Sequence, residues 1–119
     1  MSLNITASAV VNEGTTPKIT ATLKDENGSL VPDDSIDSIT IAIHDYNTGT
    51  ELREAEVLIP SDSVVTTWLS LEETRIIDSA LEYEHRVVTI TAQYLTSRYV
   101  SREINIKILN LRHYSVAVV

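Results

Sequence analysis

The sequence predicts an all-β sandwich of about seven strands, and three observations carry that expectation. Ile, Val and Thr supply about a third of the 119 residues, and β-branched side chains favour strands. Apolar residues alternate with polar ones along most of the chain, the period of a half-buried strand. Turn signals recur roughly every 8–12 residues with no strand–helix–strand alternation, the spacing of a sandwich.

The elements follow in order. Leu3, Ile5, Ala7, Ala9 and Val11 alternate with polar neighbours and predict one strand, broken at Asn12-Glu13-Gly14. Pro17 opens a second, with Ile19, Ala21 and Leu23 inward and Lys18, Thr20, Thr22 and Lys24 outward. Pro costs no ladder bond at the start of a strand. Asp25-Glu26-Asn27-Gly28 is a turn, since Asn and Gly tolerate positive φ. After the polar break at Asp33, Asp34 and Ser35, a third strand carries Ile39, Ile41 and Ile43 inward and Thr40, Ala42 and His44 outward, closed by Asn47-Thr48-Gly49-Thr50. A less regular strand runs from about Leu52 to Ile59 and stops at Pro60. Val64 to Leu69 is apolar on both faces, which places Trp68 in the core.

One segment departs from the β pattern. Ser70-Leu71-Glu72-Glu73 is a capping box, and Ile76, Ile77, Ala80 and Leu81 follow at helical spacing. One short helix near 71–81 is expected. Two long strands then close the domain: Val88, Ile90, Ala92 and Tyr94 inward on the first, Val100, Ile104, Ile106 and Ile108 on the second. A tight turn near Thr96-Ser97 joins them as a hairpin. The domain spans 1–111. Residues 112–119 are expected to form a C-terminal tail, apolar from Ser115 to Val119, that serves as a contact segment or packs back on the domain.

Composition narrows the functions. With no Phe and Trp68 as the single Trp, the core must be aliphatic. Nine Lys and Arg against 17 Asp and Glu give a net charge of −8, which repels phosphate backbones and disfavours nucleic acid as a partner. There is no Cys, so disulfides, zinc–thiolate sites and thiol nucleophiles are excluded. The N-terminus lacks the pattern of a signal peptide, and no stretch approaches the ~20 apolar residues of a membrane-spanning helix.

No constellation for catalysis stands out. His44, His85 and His113 lie on separate elements at no metal-ligand spacing. Asp25, Asn27 and Gly28 look like a calcium-loop fragment without its later ligands, which turn chemistry explains. Asp33, Asp34 and Asp37 cluster in a loop whose oxygens offer at most a weak Ca²⁺ site and are expected to be solvated charge, as are Glu51, Glu54 and Glu56. Hydrolase signatures and phosphate-binding glycine loops are absent. The expectation is a protein that is not an enzyme and uses no cofactor. Contact surface is expected at Tyr46, Tyr99 and Tyr114, near turns or in the tail, and at Val116, Val118 and Val119.

The order of segments carries a resemblance. The run from Thr16 to Gly28 (TPKITATLKDENG) precedes Ile39-Thr40-Ile41 and Tyr46-Asn47-Thr48-Gly49-Thr50. Thr67-Trp68-Leu69 and Ile76-Ile77-Asp78 follow, and the closing strand runs from Glu103 to Arg112 (EINIKILNLR). Over most of its length the chain resembles the small immunoglobulin-like structural proteins of tailed bacteriophages. It departs from antibody-type domains in lacking the Cys pair and in carrying its Trp late. The resemblance implies an immunoglobulin-like β-sandwich in the virion, assembled in the bacterial host cytoplasm: a head decoration or cement, or a neck or head–tail accessory. Its implied partners are other virion proteins and copies of itself, in a homo-oligomer on the particle, with no nucleic acid and no membrane. A carbohydrate- or cell-surface-binding sandwich module is the alternative, and a calcium-dependent adhesion domain using Asp33, Asp34 and Asp37 is a third.

Overall fold

The computed structural model of the chain describes residues 2–111. Eight strands form two sheets: β1 (Ser2–Thr6), β2 (Val10–Asn12), β3 (Lys18–Lys24), β4 (Ile36–Asp45), β5 (Glu51–Leu58), β6 (Val64–Trp68), β7 (Tyr83–Tyr94) and β8 (Arg98–Leu109). One sheet has the order β1-β3-β6, the other β2-β8-β7-β4-β5. Neighbouring strands run antiparallel except β2, which lies parallel to β8. The protein is an all-β, immunoglobulin-like sandwich.

The inward residues are the apolar half of each alternation. Leu3, Ile19, Ala21, Leu23 and Val65 face Ile39, Ile41, Ile43, Val88, Ile90, Ala92, Ile106 and Ile108, and all of these are buried. Each large aliphatic side chain so buried contributes about 1.5–3 kcal/mol. The core is aliphatic, as the composition requires.

The first alternating run divides. β1 pairs with β3 in one sheet and β2 with β8 in the other, with 7–9 crossing between them. Leu3 is buried, and Ile5, Ala7 and Val11 pack against the core from the two sides of that crossing. A two-residue period fixes which face of a strand is inward. It does not fix which sheet the strand joins.

Two further expectations are corrected. Trp68 is not a core residue: β6 is an edge strand on which Val65 turns inward, Trp68 is 54% exposed, and Leu69, just beyond the strand, takes the buried place. Nor is there a helix over 71–81. The capping box itself forms, with Ser70 N–H donating to Glu73 Oε1 at 2.7 Å and Glu73 N–H to Ser70 Oγ at 3.3 Å. Thr74 N–H donates to the Ser70 carbonyl at 3.2 Å, completing one turn. A helix continuing through this segment would join Ile77 N–H to the Glu73 carbonyl, and two side chains of β7 separate that pair. Arg86 donates to the carbonyls of Glu73 (2.8 Å) and Arg75 (2.6 Å). Glu84 accepts the N–H of Ile77 (3.0 Å) and of Asp78 (2.7 Å). The segment is an irregular crossover laid on charged groups at one end of the sandwich.

That end carries buried charge in the register of the core. Arg86 is fully buried and pairs with Asp45 (2.7 Å) and Glu84 (2.9 Å), both also buried. Asp45 accepts from the Thr48 N–H (3.0 Å) and hydroxyl (2.8 Å) and so shapes the turn after β4. Arg53 of β5 reaches Glu73 through Nε (2.7 Å) and Nη2 (2.5 Å), tying the crossover to the far edge of the larger sheet.

Candidate interaction surface

The outward face of the five-stranded sheet is built from odd-numbered residues of β7 and β8 and even-numbered residues of β4, by register with the buried set. At one end it gathers Tyr46, Tyr83, His85 and Lys107. The Tyr46 N–H donates to the His85 carbonyl at 3.0 Å, which carries the β4–β7 pairing one residue past Asp45. The His85 ring stands edge-on to Tyr46 (centroids 6.4 Å apart) and to Tyr83 (5.3 Å). Lys107 Nζ lies 4.1 Å from the Tyr83 ring centre, a cation–π contact. His85 Nδ1 and Asn105 Oδ1 are 2.9 Å apart. An open groove runs past Tyr46, Tyr83 and His85, bordered by Asn47, Leu81 and Glu82. Asn110 fixes its rim by donating to the Leu81 carbonyl at 2.8 Å.

Tyr46 is 63% exposed and Tyr99 is 64% exposed. Both fall on this outward face, at opposite ends of it. Lys107 lies eight positions along β8 from Tyr99, a span of roughly 27 Å at ~3.4 Å per residue. Tyr114, Val116, Val118, Val119 and His113, with the whole tail 112–119, lie outside the described residues. The sequence did not single out Tyr83, His85 or Lys107 as contact residues. Their signal was the polar register of the last two strands, which says which face they share and nothing of which neighbours meet there.

Two members of the acidic cluster, Asp33 and Asp37, act as backbone staples. Asp33 accepts the N–H groups of Asp62 (3.2 Å) and Ser63 (2.7 Å), both at positive φ in the β5–β6 turn. Asp37 accepts the Thr96 N–H (2.7 Å) in the β7–β8 turn, where Leu95 and Thr96 have positive φ. Non-glycine residues in that region are strained, and each carboxylate holds such a turn in place. Asp25 likewise accepts from the N–H of Asn27 (2.9 Å) and Ser29 (3.0 Å), so this segment is a turn. Among the described residues no three His, Asp or Glu side chains are grouped to hold a metal ion. Among those residues, too, no helix is long and apolar enough to cross a membrane.

No protein-family model matches the chain, and no curated protein matches it. Solved structures do. A superoxide reductase (neelaredoxin) from Ignicoccus hospitalis aligns with a TM-score of 0.60 at 14% identity, over 91% of this chain and 80% of its own. Murine CRIg aligns with a TM-score of 0.51 at 8% identity, over 92% of this chain and 98% of its own. A conjugative transposon lipoprotein from Bacteroides eggerthii aligns with a TM-score of 0.43 at 16% identity, over 87% and 93%. The likeness to the first two is one of fold, and the third, at a TM-score of 0.43, carries no argument. None of the three is described as a virion protein. The first corrects one expectation: the sandwich class gave no ground for holding that the chain is not an enzyme, because this architecture also carries a superoxide reductase.

Proposed function

We propose that the chain is a structural component of a tailed-bacteriophage particle, docking on other virion proteins and on copies of itself. The order of segments that resembles phage immunoglobulin-like proteins supports the virion setting. The observation that carries the contact role is the outward sheet face, whose exposed aromatic residues, Tyr46 and Tyr83 at one end and Tyr99 at the other, have no covering element among the described residues. Tyr side chains supply rigid contact area at interfaces, and many symmetric copies make up for small individual contacts. Particles purified from an infected lysate and analysed by mass spectrometry are expected to contain the 13.2 kDa chain at a fixed copy number. Its absence from such particles overturns the reading.

The groove beside Tyr46 and Tyr83 favours a second reading, a carbohydrate-binding module. Exposed rings can stack on the C–H face of a sugar, and Asn47, Glu82 and His85 offer hydrogen bonds in the same groove. Glycan-array binding that disappears in Tyr46→Ala and Tyr83→Ala supports it, and an array with no signal for the native chain removes it.

A further inference from the structure

The two edges of the five-stranded sheet are finished differently. β5 closes one side with Glu51, Glu54 and Glu56 exposed along eight residues, and like charges of this kind discourage strand addition. On the other side β2 covers only Lys107 to Leu109 of β8. From 98 to 106, β8 is hydrogen-bonded within its sheet to β7 alone among the described residues, although β1 of the facing sheet lies close enough for Arg102 Nη1 to donate to the Leu3 carbonyl at 3.4 Å. This stretch holds no proline and no bulge, since its register with β7 is unbroken. Which of its backbone groups point outward is fixed by two bonds: Lys107 N–H donates to the Ala9 carbonyl (2.8 Å), and the Leu109 carbonyl accepts from the Glu13 N–H (3.0 Å). Odd residues of β8 therefore aim both backbone groups away from β7. Tyr99, Ser101, Glu103 and Asn105 do so into open space and are exposed.

We infer that this edge pairs, antiparallel, with the same edge of a second copy about a two-fold axis through Ser101. The inference deepens the proposed function by naming one partner and its surface. A two-fold axis perpendicular to the sheet keeps the outward faces together, so odd residues meet odd and even meet even. Charge then selects the register. Centred on Val100, Arg98 of each copy opposes Arg102 of the other. Centred on Arg102, arginine opposes arginine, and centred on Glu103, glutamate opposes glutamate. Like charges directly opposite are destabilising. Centring on Tyr99 leaves almost no overlap, and centring on Ile104 drives the second strand against β2. Only Ser101 remains. There Tyr99 meets Glu103, Val100 meets Arg102, Arg98 meets Ile104, and Ser101 meets itself. Tyr99, Ser101 and Glu103 each exchange both backbone bonds with the opposite residue, and the two sheets become one continuous sheet. The outward aromatic faces of both copies lie on one side of it. A pairing over 98–104 is smaller than the ~800 Å² per partner of a standard interface, so the dimer is concentration-dependent and is best read by a covalent trap.

The chain has no cysteine, so single-cysteine variants give a clean test. Residues directly opposite in a hydrogen-bonded antiparallel pair have Cα atoms about 5.5 Å apart, within the span a disulfide bridges. Under mild oxidation Ser101→Cys is expected to form covalent dimer at least about tenfold faster than Glu103→Cys or Asn105→Cys at equal concentration. Adding Glu103→Pro to Ser101→Cys is expected to return the rate to that of the controls. The Glu103 N–H points away from β7, so this proline takes no bond from the sheet within the chain, and an unchanged thermal midpoint verifies that. Equal rates at 101, 103 and 105, or a 101 rate that survives Glu103→Pro in a folded protein, overturn the inference. A chain absent from particles that still cross-links at 101 loses the virion reading and keeps this edge. A chain present in particles without a 101 preference loses this edge alone.

Discussion

The waist of the sandwich and its charged end bury side chains in the same register and to opposite purposes. Along β7 the inward positions run Glu84, Arg86, Val88, Ile90 and Ala92, all buried. At the waist these positions meet only aliphatic neighbours and contribute by leaving water. At the end, Arg86 and Glu84, with Asp45 across from them on β4, hold backbone groups that no strand or helix satisfies. Between them they engage the carbonyls of Glu73 and Arg75 and the N–H groups of Ile77, Asp78 and Thr48. These ions are kept for the irregular backbone they organise. Ion pairing alone does not account for them, since burying a pair is rarely favourable by itself.

Four single substitutions, in descending order of expected cost, and one triple variant test the contrast between waist and end. Arg86→Ala leaves Asp45 and Glu84 buried without their cation, and a loss of about 3–5 kcal/mol is expected, read as a lower urea midpoint. Ile90→Ala opens a cavity at the waist and costs about 2–5 kcal/mol while leaving amide exchange at 77 and 78 undisturbed relative to the rest of the domain. Trp68→Ala, on an exposed edge, costs only about 1 kcal/mol or less, well under the ~3–5 kcal/mol of a core aromatic. Ser70→Ala removes one long hydrogen bond at the start of the crossover and costs about 0.5–1 kcal/mol. A combined Asp45→Leu, Glu84→Leu, Arg86→Met chain sharpens the contrast further. An apolar replacement of a plain buried pair is often neutral or stabilising. Here it is expected to destabilise, because five backbone groups lose their partners.

Much of this was legible in the sequence. The Ile39, Ile41, Ile43 series, the Val88, Ile90, Ala92 series and the Asp25–Gly28 turn appear where their patterns place them, since period and turn chemistry are local properties. What failed was non-local. The helical spacing of Ile76, Ile77, Ala80 and Leu81 is genuine, and so is the capping box, yet the backbone bonds a helix needs are taken by Glu84 and Arg86 of a later strand. A hint was present: those two charges continue the inward alternation of β7 by steps of two. Trp68 was misplaced because an apolar run shows no parity, and the alternation from Leu3 to Val11 hides a change of sheet. Of the candidate surface, Tyr46 and Tyr99 are suggested by their nearby turns. The meeting of Tyr83, His85 and Lys107 with Tyr46 depends on strand order, which the sequence does not state.

Whether the charged end shapes the crossover is tested most directly by assigned NMR spectra of the native chain. The expected result is Cα shifts without helical character over 71–81, together with Ile77 and Asp78 amides protected from exchange as strongly as those of β7. Helical shifts across 71–81, or amides at 77 and 78 that exchange as freely as those of an open loop, would contradict it.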